Sequence, residues 1–515
     1  MRILSRLMLL CFLLLSATTL QAQTRDPARE KELDAFIEKG MKDWELPGLS
    51  AVVVKDGKVV YLKGFGIRTL GQAGAVDPDT QFGIMSTTKA MTALSIAMLV
   101  DDGKIQWNDP VTKHLPWFQM PTPYLTAEVT VRDLLRHNAG LPEADFLWTR
   151  GDLNTRQILE RIRGLKPAYS LRSSWQYNNV MYGAAGEVVA VASGMSWEQF
   201  VSTRILKPLE MNRSYATLTQ ALASNDKNHS SPHFEINGTL RIIKDVPVDP
   251  VPAAGATWST ARDMGNWLQF LLAGGQHEGN RLVSEENFRE LFSPQALVPA
   301  DDFYPSTALT KPRWTAYGLG WFLQDYHGKF VAMHTGSMDG RTAIIGLLPD
   351  DGLGVYVFGN ADHVEIRHAI MLKVFDLYTD APARDWSADL LKVYGDAKTK
   401  QDNAIAKREK SRIANTKPTL PLKAYAGKYT HPVWGDIVIS EQNGKLRATT
   451  GIGTENEGEL QHWNYDSFKA VFGDGRYGFS ILQFALAPNG KVSSLVWENS
   501  DEHRFKKVVE VEKKK

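Results

Sequence analysis

The segment STTKAMTALSIAMLVDDGKI, which starts at Ser86, contains neither Gly nor Pro until Gly103 and is apolar along most of its length. Such a run reads as a helix that has to be buried, so the rest of the chain must supply elements to pack around it. With 515 residues, 43% of them hydrophobic, the material for a large core is present, and two or three domains are expected at roughly 100–200 residues each. Ser86 stands at the helix N-terminus and Lys89 one turn further along the same face, within reach of the serine hydroxyl. The positive potential of a helix N-terminus favours an oxyanion there. Desolvation in an apolar pocket lowers an ammonium pKa, so Lys89 can serve as a base for a nucleophilic Ser86 near neutral pH.

The S-x-x-K spacing alone is weak evidence. About two copies are expected by chance in a chain of this length, and two are present. The other, Ser224-Asn225-Asp226-Lys227, lies in a polar stretch with no apolar helix after it and reads as a loop. For Ser86 the bland alternative is an ordinary N-cap serine with a solvated lysine.

The N-terminus has a basic start at Arg2 and Arg6, an apolar run from Leu7 to Leu15, and small or polar residues up to Ala22. This is the pattern of a secretory signal peptide, residues 1–22, with cleavage expected near Ala22. The run is shorter than the roughly 20 residues a membrane helix requires, so no stable membrane insertion is expected after signal removal. The single cysteine, Cys11, lies inside this leader. A mature chain without thiols suits an oxidising compartment and excludes a cysteine nucleophile or thiolate metal site. The expected location is periplasmic or secreted. Lys plus Arg number 59 against 58 Asp plus Glu, a net charge of +1 with the basic residues scattered, which argues against a nucleic-acid partner.

Residues 29–43 have the pattern of an amphipathic helix. LSAVVVKDGKVVYLKGFG then gives two apolar runs hinged at Asp56-Gly57, a hairpin signal. Residues 105–300 alternate helical stretches (Val131–Arg136, Asn179–Ala192, Arg262–Leu272) with Pro- and Gly-rich connections, and read as a mainly helical insertion. Strand patterning returns in YGLGWFLQDYHGKFVAMHTGS and GRTAIIGLLPDDGLGVYVFGN, with turns at Gly328 and Asp351-Gly352, and a helix follows over Val364–Leu377. A first domain over 23–382 and a charged helical linker over 383–419 are expected. Residues 420–515 show short strands with Asn443-Gly444, Asp474-Gly475 and Asn489-Gly490 turns, a small antiparallel barrel or sandwich.

Two further elements bear on Ser86. Tyr177-Asn178-Asn179 precedes an apolar helix and offers a phenol to relay protons and an amide to orient a carbonyl, although alone it is a turn signal. His334-Thr335-Gly336 lies on an expected strand, where His334 and Thr335 can line a groove and Gly336 can admit a substrate backbone. His229 and His233 are not read as a metal pair, because Pro232 argues against a helix and no third ligand is evident.

In order, these three elements resemble the motifs S-x-x-K, Y-x-N and K-T-G or H-T-G of the class C β-lactamase and penicillin-binding-protein family. The likeness extends through QFGIMSTTKAMTA, TVRDLLRHNAGLP, WQYNNVMYGAAGEVV, ILKPLEMNRS, PAAGATWSTARDM, YGLGW and HTGSMDG. It implies an α/β (α+β) penicillin-recognising fold: an antiparallel sheet flanked by helices, a helical domain, and the site in the cleft between them. It also implies that Ser86 forms an acyl-enzyme, that Lys89 and Tyr177 shuttle its proton, and that Asn179 holds the substrate amide. The backbone N–H groups of Ser86 and Ser337 would form the oxyanion hole, and no metal or organic cofactor is expected. His334 stands where most β-lactamases of the family have lysine, which weakens attraction for a substrate carboxylate. Arg341 is a candidate for the missing charge, a surface arginine being the other reading. The segment beginning YAGKYTHPVWGDIVI resembles the lipocalin-like domain appended to some hydrolases of this family, with capping, ligand binding, homo-oligomerisation or a purely structural role open to it.

The expectation is therefore an exported serine hydrolase acting on amide or ester bonds of a small-molecule or short-peptide substrate: D-residue peptides, esters or β-lactams. The alternatives are a β-lactamase proper, a D-Ala-D-Ala carboxypeptidase, or a catalytically idle binding protein that keeps the fold.

Overall fold

The computed structural model describes residues 26–498 and 500–509; the leader, with Cys11 and the expected cleavage at Ala22, lies outside the described residues. Helix α1 (Pro27–Asp43) starts where Asp26 accepts from the backbone N–H groups of Ala28 and Arg29, with Pro27 in the first turn. Strands β1 (Gly48–Lys55) and β2 (Lys58–Gly66) form the expected hairpin. Asp56 and Gly57 both have positive φ, 50° and 74°, as a tight two-residue turn between twisted strands requires.

These strands join β3 (Ala296–Leu297), β4 (Thr315–Tyr317), β5 (Phe322–Tyr326), β6 (Lys329–Met338), β7 (Arg341–Leu348) and β8 (Leu353–Gly359). The result is one antiparallel sheet in the order β2-β1-β8-β7-β6-β5-β4-β3. The central strands are apolar on both faces, and their two-residue period divides them between two cores. Val52, Val54, Tyr356 and Phe358 face the core shared with the helical layer, while Ala51, Val53, Val355 and Val357 face the opposite core.

Helix α2 (Thr88–Asp101) is buried on every side from Thr88 to Leu99, as its unbroken apolar run requires. Helix α3 (Asn179–Ser193) packs beside it, among short helices whose starts carry side-chain caps, such as Thr130 with Asp133 and Asn154 with Gln157. Helix α4 (Ala261–Leu272) departs from the expectation of a helical insertion running to 300. It packs on β1 and β8 and belongs to the sheet layer, because its apolar stripe covers the apolar face of those strands, Gly265 against Val52 and Leu268 and Leu272 against Gly354. Helix α5 (Ile366–Tyr378) covers the other face together with α1.

Helix α6 (Trp386–Lys410) is more than a tether. Trp386 is buried and its indole N–H donates to Asp376 at 2.6 Å, while Trp44 donates to Ser387 at 3.0 Å, so the first turn is part of the first core. Its far end reaches the C-terminal domain, where Arg408 pairs with Glu498 at 2.6 Å. That domain is a closed antiparallel barrel of β9 (Gly427–His431), β10 (Gly435–Gln442), β11 (Lys445–Thr449), β12 (Glu457–Asn464), β13 (Ser467–Phe472), β14 (Ser480–Leu486), β15 (Val492–Trp497) and β16 (Arg504–Lys507). Alternate residues such as Tyr429, Ile437, Phe468 and Phe484 fill it.

The barrel grips the first domain at two places. On one side Arg150 donates to the carbonyl of Trp434 at 3.0 Å and its own carbonyl accepts from Ile452 N–H at 2.9 Å. On the other, Arg476 donates to Asp339 at 2.9 Å and Tyr477 also donates to that carboxylate. Among the described residues no helix is long and apolar enough to cross a membrane.

Candidate active site

The turn before α2 is fixed from three directions. Met85 takes φ of 46°, a left-handed conformation uncommon for a residue with a side chain. Thr87 Oγ1 donates to Ile84 O at 2.8 Å and accepts from the buried phenol of Tyr356 at 2.7 Å. Strand β6 closes the third side: a Cβ on Gly336 would lie 2.3 Å from Ile84 O, a separation no side chain tolerates. Ser86 sits in this 3₁₀ turn, Met85–Thr87, and no side chain caps the start of α2. The 3₁₀ turn itself supplies acceptors for the amides that follow: Thr87 N–H donates to Ile84 O at 3.2 Å and Thr88 N–H to Met85 O.

Lys89 is fully buried. Its Nζ lies 2.7 Å from Asn179 Oδ1, 2.8 Å from Ala254 O and 3.1 Å from Ser86 Oγ. The first two are oxygens that only accept, so they hold the two N–H bonds of a neutral amine and aim its lone pair at the Ser86 hydroxyl. Burial pushes the Lys89 pKa down to about 7, against the opposing pull of the Asp145 carboxylate. The rings of Tyr177 and Tyr182 flank the amine at 4.8 and 5.2 Å. Gly320, from YGLGW, makes room for this helix: with φ of 84°, its added Cβ would stand 2.8 Å from Lys89 O.

Burial raises the Tyr177 phenol well above its ordinary range, while a hydrogen bond with Ser86 works the other way. As the pH rises through about 7 the amine gives up its proton while the phenol stays un-ionised, so a base and a proton donor stand beside one serine. Asn179 opens α3 behind its N-cap Asn178. Its oxygen accepts from Lys89, and its nitrogen donates to Asp145 Oδ2 at 2.7 Å.

The third motif is arranged differently from the expectation. His334 is buried and both its nitrogens are used. Nδ1 is 2.6 Å from Thr335 O, which can only accept, so that nitrogen carries the proton; Nε2 then accepts from Tyr317 OH at 2.9 Å. Burial, and after it the charge of Lys89, lowers its pKa to about 3, so the ring is neutral. His334 supports the Tyr177 region from behind, ring centroids 6.2 Å apart, and presents no charge to a substrate. Thr335 is also buried, its hydroxyl bonded to Tyr304 at 2.7 Å. The small size of Gly336 admits the turn that carries Ser86, where a substrate backbone was expected.

Arg341 is neither a surface residue nor a free cation. It is buried, paired with Asp245, bonded to Ser230 O, and stacked 4.6 Å from the Trp258 ring. Ser337 is half-exposed. Strand β5 pairs with β6 only as far as Phe322 opposite Met333. Among the described residues no strand pairs with that edge of β6 from His334 to Met338, but the Thr335 carbonyl is taken by His334 Nδ1 and the Gly336 carbonyl by Arg367.

Three further residues support the site without a local motif of their own. Ala254 acts through its carbonyl, Asp145 through Asn179, and His137 through its ring, 4.3 Å from that of Tyr177. His137 and Ala254 do lie within the quoted segments TVRDLLRHNAGLP and PAAGATWSTARDM. His233 of the rejected metal pair is buried, with Nε2 accepting from Leu70 N–H at 2.9 Å and Nδ1 2.6 Å from Asn360 O.

A family model described as Beta-lactamase matches residues 33–373, and one described as Domain of unknown function (DUF3471) matches 411–513. Unguisins hydrolase ungD' of Aspergillus campestris (strain IBT 28561) is 28% identical over 430 residues, 80% of this chain and 77% of that protein. Unguisins hydrolase ungD of Aspergillus violaceofuscus (strain CBS 115571) is 28% identical over 505 residues, 91% and 88% of the two chains. Among solved structures, the octameric penicillin-binding protein homologue from Pyrococcus abyssi superposes with a TM-score of 0.61 at 24% identity, covering 92% of this chain and 99% of that one.

Proposed function

The chain belongs to the Beta-lactamase family and is a serine hydrolase of that family, and from this premise we propose that Ser86 is its nucleophile, Lys89 its base and Tyr177 its proton relay. The observation that carries the assignment is the setting of Lys89: buried, its pKa near 7, with two acceptors turning its lone pair to Ser86. In acylation Ser86 Oγ bonds to the substrate carbonyl carbon while its proton passes to Lys89. The oxyanion is met by the backbone N–H groups of Ser86 and Ser337. As the carbonyl reforms, the bond to the leaving group breaks, and Tyr177 delivers a proton to that group and regains one from Lys89. Water then attacks the ester carbon and gives a proton to the same pair, and Ser86 leaves as the free hydroxyl.

Substrates without a carboxylate beside the scissile bond are favoured. The two candidates for holding such a group are both otherwise committed, His334 to Tyr317 and Thr335, and Arg341 to Asp245. Esters and amides of this kind therefore rank above β-lactams and peptides ending in a free carboxylate. The two fungal relatives are named as hydrolases of unguisins, and a small-molecule substrate is proposed here too. Export rests on the leader, Arg2 and Arg6 before Leu7–Leu15 and the small residues up to Ala22.

One experiment addresses these points. Nitrophenyl butyrate and nitrocefin are supplied to exported and cytoplasmic fractions of cells expressing the wild type or Ser86→Ala. Ester turnover in the exported fraction, faster than nitrocefin turnover and abolished by Ser86→Ala, is expected. Ester turnover that survives Ser86→Ala would refute the nucleophile, faster nitrocefin turnover would refute the preference, and activity confined to the cytoplasm would refute export.

A further inference from the structure

A cleft of about 700 Å³ opens between the first domain and the barrel. This lies within the range of small-ligand sites, which favour domain boundaries. Its floor is aromatic and comes from both domains: Phe146 meets Trp434 and Trp497 edge-on, at ring-centroid distances of 6.2 and 5.6 Å. Asp145 lines the same cleft, and three hydrogen bonds lead from it to the nucleophile, through Asn179 and Lys89 to Ser86. Ser86, Lys89 and Asn179 do not themselves line the cleft; this side-chain relay ties its Asp145 wall to the reacting serine.

Its charge is one-sided. The barrel-side acids are neutralised, Glu498 by Arg408, Asp501 by Arg504 and Glu502 by Lys166. On the opposite wall Glu143 and Asp145 are in no ion pair among the described residues. Glu143 accepts only a long backbone bond, 3.4 Å from Asp145 N, and Asp145 Oδ1 is buried without a partner. Two carboxylates outside any ion pair among the described residues, Glu143 exposed and Asp145 bonded on one oxygen to Asn179, stand beside aromatic rings and complement a positive charge attached to an apolar group.

We propose that this inter-domain cleft is the subsite for an apolar amino-acid residue bearing a protonated amine, with Glu143 and Asp145 facing the ammonium and Phe146, Trp434 and Trp497 enclosing the side chain. The proposal rests on Ser86 being the nucleophile and narrows that reading to peptide-like substrates with a free amine next to the scissile bond. It also gives the barrel a part in specificity.

The test compares phenylalanine methyl ester with N-acetyl-phenylalanine methyl ester, in D and L forms, with nitrophenyl butyrate as the reference for Ser86 turnover. For at least one enantiomer, kcat/KM for the free amine should exceed that for the acetylated ester by about tenfold or more, mainly through KM. In Glu143→Gln that ratio should fall towards one, and in Trp434→Ala the preference for phenylalanine over alanine methyl ester should fall. A wild-type ratio near one for both enantiomers, or a ratio unmoved by Glu143→Gln, overturns the subsite while nitrophenyl butyrate is still hydrolysed. Failure to hydrolyse nitrophenyl butyrate as well overturns the nucleophile assignment and the subsite with it.

Discussion

Replacing Lys89 by methionine is expected to lower kcat/KM for a good ester substrate by on the order of 10²–10⁴-fold. Methionine keeps most of the volume of a residue that has no exposure to solvent, so the packing of α2 survives while the amine is lost. The same amine sets the pH dependence. Only the neutral form has a lone pair for the Ser86 proton, and its pKa stands near 7. In the wild type, log kcat/KM should therefore rise with a slope of about one as the pH increases below 7, and level off above it. The methionine variant should lose that limb along with the rate. Near-wild-type kcat/KM, or an unchanged acid limb, would remove Lys89 from the role of base.

Gly336→Ala is expected to damage stability and turnover together. The added methyl would lie 2.3 Å from Ile84 O and 3.1 Å from Met85 Cβ. The nearer atom is backbone, so either β6 or the turn carrying Ser86 must move. Overpacking of this kind costs about 1–3 kcal/mol or more, and a shift of roughly 1 Å at a nucleophile can lower kcat by on the order of 100-fold. Thermal unfolding and steady-state kinetics on the same preparation would read both effects. Wild-type Tm and kcat together would mean that the contact between β6 and the nucleophile turn is slack, contrary to the geometry described above.

The elements that were legible in the sequence are those whose signals are local. The uninterrupted apolar run after Ser86 required a buried helix, and α2 is one. Asp56-Gly57 specified its hairpin, and the closely spaced Asn-Gly and Asp-Gly turns of the C-terminal segment marked a β domain that closes into a barrel. The candidate site was partly legible for the same reason: Ser86 and Lys89 share one helix face, and Asn179 opens the next helix, so a few residues of sequence carry each geometry.

What escaped depends on partners distant in the chain. Arg341 looked like a surface residue or a spare cation because nothing near it announces Asp245, and His334 looked like a groove residue because Tyr317 lies on another strand. The acceptor role of Ala254 belongs to a carbonyl, which every residue has. Helix α4 was assigned to the wrong layer because an amphipathic pattern says that one face is covered without saying by what.

The central claim, that Ser86 is the residue acylated, is tested most directly by treating the folded protein with a fluorophosphonate and mapping the adduct by mass spectrometry of its peptides. A single adduct on Ser86, absent from Ser86→Ala and strongly slowed in Lys89→Met, is the expected result. An adduct on another serine, or none in folded protein that hydrolyses esters, would contradict it.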